Sequence, residues 1–292
     1  MKKIRREEIV TKAQDVPPHM VGTGFRVRQY VPGKQNLKSR FSPFLLLDYN
    51  EPFHFPPSSQ IKGVGAHPHK GFETVTINLA GRIEHNDNKG HHGILNPGDV
   101  QWMTAGKGIL HKEYHEKEFS RTGGLFHMIQ LWVNLPKAYK NTEPKYQNLL
   151  KENMAIREME NAKITVIAGT AFEAKGPAET FTPINIYSIE LNNGFSMDIK
   201  EPEKFNTGLI VVGGEVEING NIYKENDFII FENNDGVIEV KALAEASKII
   251  ILSGEPIDEP IASYGPFVMN TDEEIRQAFE DYKNGVFGTP DF

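Results

Sequence analysis

The sequence predicts an all-β protein of two similar sandwich or barrel domains, with one short helix near the C-terminal end. Three features lead to that expectation. Strand-length runs of β-branched and aromatic residues recur along the chain, each bounded by Gly, Pro, Asn or Asp. A helical pattern is clear in a single segment only. A pattern in the first half returns in the second, at a period too long for a solenoid.

In chain order, the first half offers ETVTINLAG, DVQWMTAG and HMIQLWVNL as strands. The second offers KITVIAG, TGLIVVGGEVEI, DFIIFEN and SKIIILSG. No helices alternate with them, which favours a sandwich or barrel over βα units. The internal echo pairs LAGRIEHNDNKGHHGILNPGDVQWM with VGGEVEINGNIYKENDFIIF: strand, glycine turn, strand, then a polar turn into an apolar strand. Between the halves, PKAYKNTEPKYQNLLKENM reads as a helical or irregular connector. The expected division is therefore an N-terminal domain over 1–136, a linker over 137–160 and a C-terminal domain over 161–292. The helix is expected over about 271–284, in TDEEIRQAFEDYKNG, from where it can pack back on the first domain. Thr271 and Glu274 have capping-box spacing, Ile275 and Phe279 share a face, and Gly285 follows the last turn.

Composition narrows the function classes. With 39% hydrophobic and 24% charged residues, the chain has the balance of a soluble globular protein. A net charge of -7 argues against general nucleic-acid binding. The opening MKKIRREEIV is basic, but no apolar stretch follows, so neither a signal peptide nor a membrane span is expected. Lys2, Lys3, Arg5 and Arg6 read as a solvated basic stretch. The chain has no cysteine, which removes disulfides, thiol nucleophiles and thiolate metal sites. Any metal must be held by nitrogen and oxygen, and a cytoplasmic location is expected.

The histidines carry the functional signal. All ten, at 19, 54, 67, 69, 85, 91, 92, 111, 115 and 127, lie in the first half. In GVGAHPHKGFETV, His67 and His69 are i and i+2 on a strand and project from one face. Pro68 costs a ladder hydrogen bond and places that strand at an edge or a strand start. Carried onward, the same parity puts Gly71, Glu73, Val75, Ile77 and Leu79 on the histidine face. AGKGILHKEYHE repeats the motif with His111 and Glu113, while Gly106 and Gly108 permit a tight turn before it. Two such strands would bring three imidazoles and one carboxylate to one point. That set suits Fe, Mn, Ni, Cu or Zn, and an octahedral ion would keep two adjacent positions open. Glu73 could ligate, orient a histidine or pair with a base. His91 and His92 read as solvated loop residues, and His54, His85 and His127 as loop or strand histidines bonded to backbone. His115 is read as structural, with a pocket-lining role as the alternative.

HPHKGFETVT, NPGDVQWMTAGKGILHKE, QLWVNLP and GEPIDEPIASYGPFVMNTDEEI closely resemble the pirin family of the cupin superfamily, over nearly the whole chain. The resemblance implies a bicupin, two double-stranded β-helix domains, of which the second lacks a metal site. It implies His67, His69, His111 and Glu113 as ligands of a metal ion, Fe(II) first, with Ni, Cu, Mn, Co or Zn as alternatives, and leaves Glu73 outside the ligand set. Where the second cupin motif usually has Pro-x-Gly before its histidine, this chain has Thr104-Ala105-Gly106. Two functions follow from the family. One is a quercetin 2,3-dioxygenase that opens a flavonol with O₂ and releases carbon monoxide, with Glu113 as the group that takes the substrate's proton. The other is a redox-responsive iron protein that binds a regulatory or metabolic protein partner. Phe53, Phe55, Trp102, Met103 and Trp132 are the aromatic and apolar candidates for stacking on a flat substrate.

Overall fold

The computed structural model describes residues 2–292. It is almost entirely antiparallel β and resolves into two compact units. One unit, which carries every metal-site candidate, comprises Pro18–Ser39, Phe44–Lys151 and Ile257–Phe292. The other comprises the N-terminal residues through Pro17, Arg40–Pro43 and Glu152–Pro256.

This is not the consecutive 1–136 and 161–292 division expected from the sequence. The ends of the chain are exchanged, and the 137–160 segment is not a linker. Lys145–Leu149 pairs with Val100–Thr104 and closes an edge of the histidine unit, while Ala155–Met159 pairs with Ala162–Ala168 in the other. Strand pairing thus satisfies backbone groups that a free connector would leave to water. The basic N-terminus is also built in. Glu7–Thr11 adds a strand beside Phe228–Phe231. Arg5, expected to be solvated, is 0% exposed. Its guanidinium donates to the carbonyls of Glu232 (2.7 Å), Pro202 (3.2 Å), Glu201 (3.4 Å) and Phe205.

Each unit sets a seven-stranded sheet against a four-stranded one. In the histidine unit the larger sheet runs Lys145–Leu149, Val100–Thr104, Phe72–Ala80, Gly124–Asn134, Phe44–Phe55, Phe25–Val31, His19–Val21. The smaller runs Gly63–His69, Ile109–His115, Ile83–Asp87, His92–Leu95. Phe25, Phe126 and Met128 from the first pack with Ile83 and Leu95 from the second in one apolar cluster. The other unit has the same pattern of sheets but an aliphatic interior, with Ile164, Val166, Ile189, Leu209, Val211, Ile249 and Ile251 at its centre.

The C-terminal segment belongs to the histidine unit. A short hairpin, Ala262–Tyr264 with Phe267–Met269, leads into the helix Asp272–Lys283, close to the expected 271–284. Thr271 caps it, accepting from Glu274 N at 3.2 Å, and the Glu274 carboxylate returns to Thr271 N at 3.0 Å. Leu110, Phe267, Ile275, Ala278 and Phe287 form the contact that seats the helix. Buried Lys140 ties the hairpin down, donating to Gly71 O (2.8 Å), Asn134 Oδ1 (2.8 Å) and Val268 O (3.1 Å). Burial lowers its ammonium to about 8. Gly71 makes the approach feasible: at φ +85° a Cβ there would lie 1.9 Å from Val268 O. Among the described residues no helix is long and apolar enough to cross a membrane.

Lys140→Met should therefore strip three acceptors of one buried donor and cost about 3 kcal/mol. Chemical denaturation measures it, and a loss below about 1 kcal/mol would contradict this role for Lys140.

Candidate metal centre

The edge strand Gly63–His69 pairs antiparallel with Ile109–His115, in a register that sets His67 opposite His111 and His69 opposite Ile109. The first strand is at the sheet edge, where Pro68 is tolerated. A bulge follows, because the next pair is Glu113 with Val64. Gly65 and Ala66 are thereby thrown out of register, and the Gly65 carbonyl meets His67 Nδ1 at 2.8 Å. The tight turn expected at Gly106 is present, with φ +49° and the Thr142 carbonyl 2.1 Å from where a Cβ would sit.

The imidazoles of His67, His69 and His111 come together, with one ligand atom from each within 4.8 Å of the others. His67 Nδ1–H donates to Gly65 O, and His69 Nδ1–H to Pro266 O at 3.4 Å, which leaves both Nε2 lone pairs available. His111 is 1% exposed, and neither of its ring nitrogens has a hydrogen-bond partner in the protein. Burial pushes His67 below the ordinary histidine value. Burial and the neighbouring imidazoles push His69 and His111 well below it. All three are therefore neutral near pH 7, the form that binds metal. An orphaned, buried, neutral imidazole carries a desolvation cost that a cation relieves, so the residues present fit a transition-metal ion.

Glu113 lies two residues beyond His111 and lines the same cavity as His67 and His69. Burial raises its carboxyl to about 7, against the opposing effect of Thr76, whose hydroxyl is 3.4 Å from Oε1. Glu73 stands elsewhere. The strand parity that put it on the histidine face does not survive Gly71, whose positive φ ends one strand before Phe72–Ala80 begins in the other sheet. Its carboxyl accepts from Thr104 Oγ1 at 2.7 Å, and burial raises it to about 7.

The cavity measures about 270 Å³. Apolar side chains such as Val27, Leu46 and Met128 form most of its wall, and the polar exceptions include Asp48, Asn50 and Gln130. Of the five stacking candidates only Trp132 lines it. Phe55 packs in the apolar cluster with Phe25 and Phe126, and Phe53 meets Phe55 edge-on at the surface. Trp102 and Met103 are fully buried outside the cavity wall. Among the other histidines, His115 is structural: buried beside Phe55, Phe119 and Phe126, it donates to Gly24 O at 2.7 Å. His91 and His92 are exposed beside Asp87 and Glu84. One backbone-bonded expectation fails: buried His85 stacks on Tyr146 with both nitrogens unpartnered, while His127 pairs with the Tyr49 hydroxyl at 2.8 Å. Sequence reasoning missed Pro266, Asp48, Asn50 and Gln130. The alternation Leu46, Asp48, Asn50 on one strand face was the available signal.

His67→Ala and His111→Ala should abolish metal uptake, and His91→Ala and His92→Ala should leave it unchanged. Elemental analysis after metal loading reads this directly, and equal losses in all four variants would refute the triad.

A family model described as Pirin matches residues 24–133, and one described as Pirin C-terminal cupin domain matches 186–288. A Pseudomonas aeruginosa protein named "Putative quercetin 2,3-dioxygenase" is 44% identical over 92% of this chain and 94% of its own. Human pirin is 36% identical, over 91% of this chain and 89% of its own. A crystal structure of a quercetin 2,3-dioxygenase from Acinetobacter baumannii is 40% identical, with a TM-score of 0.92 over 98% of this chain and 99% of that one.

Proposed function

This chain belongs to the pirin family, and from that premise we propose that it is a metal-dependent dioxygenase that opens a quercetin-type flavonol with O₂. The observation that carries the reading is the cluster of three neutral imidazoles, two of which, His67 and His69, line a largely apolar cavity. The names of the Pseudomonas and Acinetobacter relatives supply the substrate class.

In this reading His67, His69, His111 and Glu113 hold the ion, Fe(II) first among those that nitrogen and oxygen donors accept. A divalent ion so held supplies Lewis acidity, which lowers the pKa of a hydroxyl bound to it. The protein does the rest. Glu113, which lines the cavity beside His67 and His69, is the carboxylate placed to accept the flavonol 3-hydroxyl proton. Thr76, 2.9 Å from Gln130 Oε1 and 3.4 Å from Glu113 Oε1, holds that carboxyl in place. Trp132 stands edge-on to the His69 ring, 5.3 Å between centroids, and offers the flat surface on which an aromatic substrate packs. Val27, Leu46 and Met128 exclude water from the electron-rich flavonolate.

Protein loaded separately with Fe(II), Ni(II), Cu(II) and Mn(II) should consume quercetin and release carbon monoxide with at least one of them. Turnover no greater than that of the free ions, for every metal, would end the enzyme reading and leave a redox-responsive partner-binding protein.

The Glu113 assignment has a pH signature. Below pH 7 the metal-free carboxyl is protonated, so ligation must expel that proton. Metal affinity should then fall about tenfold per pH unit below 7 and level off above it. The imidazoles, already depressed, add no further slope until more acid pH. Glu113→Gln should flatten the slope in an equilibrium metal competition, and an unchanged slope would remove Glu113 from the ligand set.

A further inference from the structure

The cavity wall opposite in sequence to the histidine strands is the inner face of the larger sheet. Three cross-strand pairs form it, Leu46 with Trp132, Asp48 with Gln130 and Asn50 with Met128, and all six residues line the cavity. The first row is apolar, the second polar and the third mixed, within an otherwise largely apolar wall.

The polar members differ in what they already bond. Asp48 accepts from Gln29 Nε2 at 3.1 Å. Gln130 Oε1 accepts from Thr76 at 2.9 Å. Asn50 has nothing: it is 1% exposed, and neither Nδ2 nor Oδ1 has a partner in the protein. Buried side-chain amides are nearly always hydrogen-bonded, and asparagine is a poor choice for the middle of a strand. The position gives no structural return for either cost. What it does offer is a donor and an acceptor presented together into the cavity.

We propose that Asn50 is a substrate-specificity residue whose carboxamide hydrogen-bonds a ring hydroxyl of the bound flavonol other than the 3-hydroxyl. This rests on the flavonol reading and deepens it. The histidine sheet takes the 3-hydroxyl end, and the Asn50 row of the other sheet selects polyhydroxylated rings over bare ones. An amide suits a phenol because it can donate to the oxygen or accept from the hydroxyl. A site built to bond a hydroxyl rejects the analogue that lacks it, because its own polar group is then left unpaired.

The test compares wild type with Asn50→Leu, both nickel-loaded and held without O₂, in absorbance titrations with quercetin and with 3-hydroxyflavone, which lacks the other ring hydroxyls. Metal content and melting temperature are measured on the same samples. The expected result is quercetin affinity about tenfold weaker in the variant, with 3-hydroxyflavone affinity unchanged. Metal content should match wild type, and the melting temperature should hold or rise, since an unpaired buried amide has been removed. Unchanged quercetin affinity, or equal weakening of both flavonols, overturns the role of Asn50 while the flavonol reading stands. Wild type that binds neither flavonol overturns both. A variant that loses metal or unfolds marks Asn50 as structural and overturns the specificity role alone.

Discussion

The site depends on one cross-strand register, His67 opposite His111 in the smaller sheet of the histidine unit. A slip of one strand by one residue would turn its imidazole to the other face of the sheet and away from its partner. The bulge just beyond supplies Gly65 O to fix the His67 ring, and the C-terminal hairpin supplies Pro266 O to the His69 ring. With Nδ1 engaged on each, Nε2 is the only ligand atom left, so the orientation of two donors is settled by backbone carbonyls before any ion arrives. That preorganisation is held from a distance, because Lys140 and the close approach at Gly71 anchor the hairpin that carries Pro266.

The second unit shows what the fold does without this constraint. Its equivalent strand pair, Ser196–Ile199 with Ile238–Ala242, sets Met197 opposite Val240 and Ile199 opposite Ile238. Aliphatic side chains fill the interior where the first unit places imidazoles, a carboxyl and amides. One architecture therefore tolerates two kinds of interior. The polar one stores a desolvation cost at His111, Glu113 and Asn50, and such cost is characteristic of a surface that awaits a ligand.

What the sequence disclosed followed from local rules. Scarce histidines at i and i+2 around Pro68 marked a strand face and an edge, and the structure has both. The capping box of Thr271 and Glu274 was equally local. Long-range pairing was not legible. Arg5 looked solvated because its four carbonyl acceptors lie about two hundred residues away in sequence. The 137–160 segment lacks the apolar alternation of a central strand, since its two strands are sheet edges with little buried surface. Glu73 was placed on the wrong face because alternation was counted through Gly71, a residue whose backbone resets it. Asn50 and Asp48 sat in plain view at i and i+2, but polar residues in a strand announce a pocket only once the facing sheet is known.

X-ray absorption at the metal edge of the loaded protein tests the central claim most directly. The account predicts three imidazole nitrogens and one carboxylate oxygen at about 2.1 Å, completed by solvent oxygen that a flavonol displaces. Fewer than three imidazoles, or a shell filled wholly by protein donors and unchanged by flavonol, would contradict it.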